Sequence, residues 1–311
     1  MYEALLAFTV GLAILLYATQ RFVRLAERIS VIFKISPLIV GLTVVAIGTS
    51  LPELVVSVIA LTKQDPGLAM GNIIGSNIVN ILMVFPVGLF IGKLKIGTAK
   101  TQRNALFLLA ITLVFMITQL TNITHLVAGS LLIGIAILVS TLEYKLGVFG
   151  REHEDAKLFH ASKNEKLTTQ IILLGLLLVS AIIFGGFLVV NSIENISIFT
   201  GITTTILGLT LTAIATSLPE LLTTVFSQNG NQEKITVGNI LGSNMYNLSL
   251  IGGIIAFSPL KTVIHPQEWA WLSVVTIGFV VLLRYFKGRR PPKIIGVFLL
   301  LLLALYLFMQ K

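Results

Sequence analysis

The sequence predicts an all-α polytopic membrane protein of about ten transmembrane helices, arranged as two inverted five-helix repeats with interrupted helices at the midplane. Of the 311 residues, 55% are hydrophobic and only 11% are charged, whereas soluble domains carry roughly 25% charged residues. Apolar runs of about 17 to 25 residues recur along the chain, and each can cross a bilayer as a helix. A pair of sequence blocks also occurs twice, which predicts the repeat.

The apolar runs predict ten spans. In the first half they cover 2–20, 37–62, 69–92, 104–120 and 124–142, and in the second half 168–190, 200–227, 235–257, 268–286 and 293–309. Only the segment LTNITH separates the fourth and fifth spans, so their boundary could shift by a few residues. The mixed-charge stretch at 143–167 predicts a solvated linker between an N-terminal repeat (1–142) and a C-terminal repeat (168–311).

The basic residues predict the orientation. If alternate loops face the same side, 19 of the 22 Lys and Arg residues fall on one side, and only Lys63, Lys261 and Lys311 on the other. By the positive-inside rule the first side is cytoplasmic. We therefore expect a multi-pass protein of the cell membrane with both termini outside and the mid-chain loop in the cytoplasm. The net charge of +9 forms no basic face or arm, so nucleic acid is not an expected partner.

Two blocks of sequence recur at one offset. Glu53 and Glu220 are 220 minus 53, or 167, positions apart. The same offset aligns IVGLTVVAIGTSLPELVVSVI (39–59) with ILGLTLTAIATSLPELLTTVF (206–226), and GNIIGSNIVN (71–80) with GNILGSNMYN (238–247). Each half carries about five spans, an odd number, so the second copy starts on the opposite side of the membrane. Inverted repeats with midplane substrate sites are typical of secondary transporters.

Glu53 and Glu220 are the only ones of the 13 acidic residues that fall in mid-span. A charged side chain at that depth is costly and is rarely kept without a partner. No predicted span has Lys or Arg near its centre, so a bound cation or a proton must offset the charge. A protonated glutamate hydrogen-bonded between helices is the alternative, but its recurrence in matched settings favours a cation.

The neighbours of the glutamates suit a hard cation. Thr49 and Ser50 precede Glu53 by four and three residues and share its helix face. Pro52 has no N–H and opens the helix, which frees carbonyls around Ala46 to Gly48. The second copy offers Thr216, Ser217, Pro219, Glu220 and the carbonyls around Ala213 to Ala215. Ca²⁺ and Na⁺ take such oxygens, whereas zinc and copper favour the Cys and His that these blocks lack.

The second block offers further oxygens on the next helix. Ser76 and Asn80 are four residues apart, as are Ser243 and Asn247. The remaining asparagines (Asn72, Asn77, Asn239 and Asn244) are expected to cap or stitch helices rather than to ligate. The glycines of these blocks permit close helix approach.

The paired motifs GTSLPEL with GNIIGSNIVN and ATSLPEL with GNILGSNMYN resemble the two α-repeats of sodium/calcium exchangers, prokaryotic type, in the cation/calcium exchanger superfamily. The resemblance covers essentially the whole chain. It implies that Glu53 and Glu220 coordinate Ca²⁺ centrally, with oxygens from Thr49 and Thr216. It also implies flanking Na⁺ sites that use Ser50, Ser217, Ser76, Ser243 and the carbonyls of Ala46 and Ala213, with Asn80 and Asn247 facing the centre.

The chain departs from part of this family at positions 80 and 247. Several relatives have an aspartate at one of them, and potassium-dependent members do so characteristically, whereas both are Asn here. Potassium co-transport is therefore not expected, and only two carboxylates balance the bound cations. The mid-chain loop is also too short for the large regulatory domains of animal members.

The sequence thus predicts a secondary active antiporter that exchanges Na⁺ for Ca²⁺ by alternating access, with the runs at 1–20 and 168–190 as candidates for the moving element. We expect no enzymatic activity, no cofactor and no obligate protein partner; the two ions and the lipid bilayer are the partners. The alternative is H⁺/Ca²⁺ or other cation/H⁺ exchange on the same scaffold, with protons competing at the glutamates. A lipid-phosphate hydrolase would need Arg or Lys in the site, and neither block has one near its glutamate.

Overall fold

The computed structural model describes residues 1–32, 46–91, 94–121, 123–148, 168–229, 233–260 and 264–310. All regular secondary structure in these ranges is helical. The N-terminal half contains α1 (Tyr2–Ile32), α2 (Ala46–Thr49), α3 (Leu51–Thr62), α4 (Pro66–Val79, continued by a π-helical turn at Asn80–Val84 and by Phe85–Ile91), α5 (Ala99–Leu120) and α6 (His125–Val148).

The C-terminal half repeats this order. It contains α7 (Thr169–Thr200), α8 (Thr204–Leu207, a π-helical turn at Gly208–Thr212 and Ala213–Thr216), α9 (Leu218–Asn229), α10 (Glu233–Tyr246, a π-helical turn at Asn247–Ile251 and Gly252–Ala256), α11 (Pro266–Phe286) and α12 (Lys293–Phe308). With α2/α3 and α8/α9 each counted as one interrupted span, these helices correspond to the ten predicted spans. The predicted all-α fold of two inverted repeats is confirmed.

The helices differ in how deeply they lie in the bundle. Seven described helices are long and apolar enough to cross a membrane, and Leu51–Thr62 and Lys293–Phe308 are shorter apolar helices. Helix α4 is central, with 83% of its most apolar 18-residue segment buried, whereas α1 and α7 bury only 33% and 28% of the corresponding segments. Helices α1 and α7 therefore form a peripheral pair, exposed to the lipid along most of their length.

Each interrupted span is broken at one serine. Helix α2 ends at Thr49 and α3 begins at Leu51, so the break lies at Ser50; the equivalent break lies at Ser217. The proline two residues further on has no N–H to continue the hydrogen-bond ladder, and its ring fits the first turn of the following helix. The predicted interruption of both helices is confirmed.

Helices α1 and α7 are longer than the predicted spans. Helix α1 continues from residue 20 to Ile32, and α7 continues from residue 190 to Thr200. Gly201 then ends α7 with a left-handed conformation (φ 71°) and an N–H that donates to the carbonyl of Ser197 at 2.8 Å, a common helix stop. Polar residues near the end of an apolar run thus did not end the helix.

Glycines allow two close helix crossings. A Cβ on Gly185 of α7 would lie 2.7 Å from the nitrogen of Leu15 and 2.8 Å from the carbonyl oxygen of Gly11, both in α1. A Cβ on Gly71 of α4 would lie 2.4 Å from the carbonyl oxygen of Thr205 in α8. The second crossing packs the central helix of one half against the interrupted helix of the other, which brings the repeated blocks together.

Candidate cation-binding site

Two carboxylates occupy the middle of the bundle. Glu53 and Glu220 lie in the first turns of α3 and α9, directly after the two breaks, and neither is exposed. The positive end of each helix dipole favours a negative charge there. Within the described ranges, none of the four carboxylate oxygens accepts a hydrogen bond of regular length and angle. Because buried charges need a counter-charge and ligands, these oxygens are suited to a cation.

Hydroxyl groups from both halves lie around the carboxylates. The Oγ1 of Thr49 lies 3.1 Å from the Oγ of Ser243, and the Oγ1 of Thr216 lies 3.4 Å from the Oγ of Ser76. The hydroxyls of Thr216 and Ser76 neighbour the carboxylate of Glu53, and those of Thr49 and Ser243 neighbour the carboxylate of Glu220. Each glutamate therefore lies beside a threonine from the opposite half.

Further polar groups lie at the breaks and on the central helices. The hydroxyls of Ser50 and Ser217 are buried and have no hydrogen-bond partner in the described ranges. The same is true there of the Oδ1 of Asn80 and of both polar side-chain atoms of Asn247. Unsatisfied buried polar atoms are rare in native proteins and call for an explanation, and bound cations would supply one for the oxygens.

Ala46 and Ala213 carry the backbone carbonyls expected at the Na⁺ sites. Ala46 is the first residue of α2, and residues 33–45 before it lie outside the described ranges. The carbonyl of Ala213 accepts the N–H of Ser217 at 3.1 Å. This carbonyl is therefore not fully freed by the break, and a cation there would use its second lone pair.

Two of the remaining asparagines join α4 to α10. The Nδ2 of Asn80 donates to the Oδ1 of Asn244 at 3.0 Å, and the Nδ2 of Asn244 donates to the carbonyl of Asn77 at 3.0 Å. The Nδ2 of Asn77 donates to the carbonyl of Ile73, one turn earlier in its own helix, at 2.8 Å. The side chain of Asn244 thus joins the two helices, as the sequence predicted, whereas the side chain of Asn77 bonds within its own helix.

Sequence reasoning missed the π-helical turns. Of the three turns in the described ranges, two begin at Asn80 and Asn247, so equivalent asparagines start equivalent turns, and the third begins at Gly208. A π-helical turn inserts one residue into a helix and often marks a functional site. Glycine and proline mark the breaks in the sequence, but no comparable local signal marks these turns; only the matched position of the two asparagines could have drawn attention to them.

The composition of the site indicates the kind of ion. No group of three or more His, Cys, Asp and Glu side chains that could hold a metal ion occurs among the described residues. The site instead combines two carboxylates with hydroxyl, amide and carbonyl oxygens, which are ligands for hard cations. Inverted interrupted helices around such a midplane site define the class of secondary transporters for cations.

Comparison with known proteins gives the family. The family profile described as sodium/calcium exchanger protein matches residues 3–145 and 170–311. The chain therefore belongs to the sodium/calcium exchanger family, which confirms the resemblance seen in the repeated motifs. It is a multi-pass membrane protein of a family of cation exchangers, and the family relation supports transport rather than enzymatic catalysis.

Relatives match along the whole chain. The chain is 30% identical to the putative antiporter CaxA of Alkalimonas amylolytica, covering 97% of this chain and 96% of the relative. It is 26% identical to the sodium/calcium exchanger MaX1 of Methanosarcina acetivorans, covering 97% of each. A solved structure of the sodium-calcium exchanger NCX_Mj superimposes with a TM-score of 0.64 at 28% identity, covering 97% of each chain.

Proposed function

We propose that this protein is a secondary active antiporter that exchanges Na⁺ for Ca²⁺ across the membrane by alternating access. The observation that carries the proposal is the pair of buried carboxylates, Glu53 and Glu220, presented by inverted interrupted helices and lined by hydroxyl groups from both halves. Membership of the sodium/calcium exchanger family and the fold shared with NCX_Mj support it.

We assign the ligands in two overlapping sets. Ca²⁺ binds centrally to Glu53 and Glu220, with oxygens from Thr49 and Thr216. Na⁺ binds beside them, through Ser50, Ser217, Ser76, Ser243 and the carbonyls of Ala46 and Ala213, while Asn80 and Asn247 face the centre of the cluster. Because the sets share space and charge, one ion species disfavours binding of the other, which is the basis of exchange.

Charge neutralisation makes the exchange obligatory. Two carboxylates carry two negative charges, which one Ca²⁺ or two Na⁺ ions cancel. A site with uncompensated charge would have to pass apolar surface at a high cost, so the empty site stays on the side where it released its ion. The peripheral pair α1 and α7 is the candidate moving element, because the two helices cross closely at Gly185 and bury only 33% and 28% of their most apolar segments.

The orientation and the division into repeats complete the proposal. The side with most Lys and Arg residues is cytoplasmic by the positive-inside rule, which leaves both termini outside. The N-terminal repeat covers 1–142, the linker 143–167 and the C-terminal repeat 168–311. Most of the linker lies outside the described residues, so its role as a solvated connector rests on the sequence.

Ion gradients in proteoliposomes test the coupling ion. A Na⁺ gradient directed out of the vesicles should drive uptake of radiolabelled Ca²⁺, and uptake should stop when Na⁺ is equal on both sides. A pH gradient in Na⁺-free buffer should drive none. Ca²⁺ uptake driven by the pH gradient alone would instead support the alternative, in which Glu53 and Glu220 carry protons against Ca²⁺ or another cation.

A further inference from the structure

Asn72 of α4 connects the two halves of the site. The side chain is fully buried, and its Nδ2 donates to the carbonyl of Glu53 at 3.2 Å and to the Oγ of Ser57 at 3.1 Å. Its Oδ1 accepts the hydroxyl of Thr216 at 3.2 Å. One amide thus fixes the first turns of α3 and also orients Thr216, whose oxygen lone pairs then remain available to the site.

Asn239 of α10 is the equivalent residue, 167 positions later, and makes only one of the three equivalent contacts. Its Oδ1 accepts the hydroxyl of Thr49 at 3.5 Å. Its Nδ2, although buried, has no hydrogen-bond partner in the described ranges. The equivalent of Ser57 is Thr224, and the buried Oγ1 of Thr224 has no partner there either. Donor and acceptor of the missing bond are therefore both present and both unpaired.

The residues next to these asparagines also differ in exposure. A Cβ on Gly71, which precedes Asn72, would lie 2.4 Å from the carbonyl oxygen of Thr205. A Cβ on Gly238, which precedes Asn239, would have no heavy atom of a described residue within 4 Å. Asn72 is 0% exposed and Asn239 is 8% exposed. Gly71 is thus closely packed, whereas Gly238 is exposed.

In a transporter built of inverted repeats, the two halves can exchange conformations when the site changes the side it faces. We propose that Asn72 and Asn239 are alternating clamps. In the present state Asn72 holds the Glu53 carbonyl and Ser57. In the opposite-facing state Asn72 releases both of these groups, and Asn239 holds the Glu220 carbonyl and Thr224. This inference rests on the proposed alternating-access exchange and assigns positioning roles to two residues that need not touch the ion.

Such an exchange keeps the two states close in free energy. A buried amide without a partner is costly, so a transition that broke the Asn72 contacts without forming others would trap the protein in one state. Forming equivalent bonds at Asn239 offsets that loss. A transporter needs both states populated, because an equilibrium far to one side reduces the share of molecules able to bind on the other.

The absence of Cys from the chain allows a single-cysteine test. Gly238→Cys places a reporter at an exposed position beside Asn239, and the rate of its reaction with a membrane-impermeant maleimide measures the population of the present state. Asn72→Leu and Ser57→Ala should slow labelling, by roughly five- to tenfold for Asn72→Leu, the effect of one buried hydrogen bond. Asn239→Leu and Thr224→Val should label as fast as the parent or faster.

Asn77→Leu is the matched control, because Asn77 lies on the same helix but bonds within it; it should label at the parental rate. The clamps are contradicted if Asn72→Leu labels like the parent, or if Asn72→Leu and Asn239→Leu slow labelling alike. Labelling requires no Na⁺/Ca²⁺ exchange. If Asn72→Leu and Asn239→Leu shift labelling in opposite directions but the protein does not exchange Na⁺ for Ca²⁺, the clamps are supported and the proposed function is wrong. If the protein exchanges the ions but neither substitution changes labelling, only the clamps are wrong.

Discussion

Lys63 and Glu194 form an ion pair that joins the end of α3 to α7. The ammonium of Lys63 also lies 5.4 Å from the centre of the Phe187 ring, seven residues earlier on α7. Both partners are partly buried, with side-chain exposures of 22% and 33%. This is a polar attachment between the interrupted span that carries Glu53 and the peripheral helix proposed to move.

Charge reversal tests this attachment. Lys63→Glu and Glu194→Lys should each weaken the contact and change the free energy of unfolding by about 1 kcal/mol, as for partly exposed pairs. The combination of both substitutions restores opposite charges and should recover most of the loss, which thermal unfolding in detergent can measure. A double variant as unstable as the sum of the single ones would show that the pair contributes nothing.

The crossing of α1 and α7 predicts a difference between two glycines. Gly185→Ala places a methyl group 2.7 Å and 2.8 Å from backbone atoms of α1, which cannot move aside singly, so the helices must separate at a cost of roughly 1–3 kcal/mol. Among the described residues Gly175→Ala meets only the Cδ2 of Leu25, at 3.5 Å, and it is the control. We expect Gly185→Ala to lower the stability and to slow transport, and Gly175→Ala to do neither. Equal effects of the two substitutions would contradict this crossing.

The threonines beside the glutamates predict a loss of Ca²⁺ affinity. Thr49→Val and Thr216→Val keep the side-chain shape but remove one ligand oxygen, and we expect KM for Ca²⁺ to rise about tenfold in each case, the size of one buried polar interaction. Thr→Ser at the same positions keeps the hydroxyl and should preserve the affinity. If Ser and Val have the same effect, the hydroxyl is not a ligand.

A third carboxylate tests the charge balance. Asn247→Asp adds a negative charge that one Ca²⁺ no longer cancels, so Ca²⁺ should bind about tenfold more tightly through the added attraction, while its transport slows because the loaded site stays charged. Equilibrium Ca²⁺ binding and initial uptake rates separate the two effects. Asn247→Gln is the neutral control, and faster transport by Asn247→Asp would contradict charge-gated crossing.

Local chemistry explains what could be predicted from the sequence. Apolar length predicted the spans, and Pro52 and Pro219 predicted the breaks that the structure places at Ser50 and Ser217, because the missing N–H acts within one turn. The ends of α1 and α7 could not be predicted in this way. Glu194 lies beyond the end of the predicted span at residue 190. Its partner Lys63 lies 131 positions away in the chain, so no local pattern reveals the contact.

The same limit applies to the candidate site. Its charged and hydroxyl residues stood out because carboxylates are rare in apolar runs and because each occurs twice. The roles of Asn72 and Asn239 did not, since they depend on contacts between α4 and the interrupted helices of both halves. Such contacts exist only after the halves have packed, and the two asparagines are identical in the sequence although they differ in the structure.

The central claim is that both buried glutamates carry ions in Na⁺-driven Ca²⁺ exchange, and the initial rate of Na⁺-gradient-driven uptake of radiolabelled Ca²⁺ into proteoliposomes tests it most directly. Glu53→Gln and Glu220→Gln should each reduce this rate to background. Glu268→Gln, at a buried glutamate in the first turn of α11 that accepts a hydrogen bond from Gln310, should keep most of it. Uptake that survives the combined substitution of Glu53 and Glu220, or that ignores the Na⁺ gradient, would contradict the account.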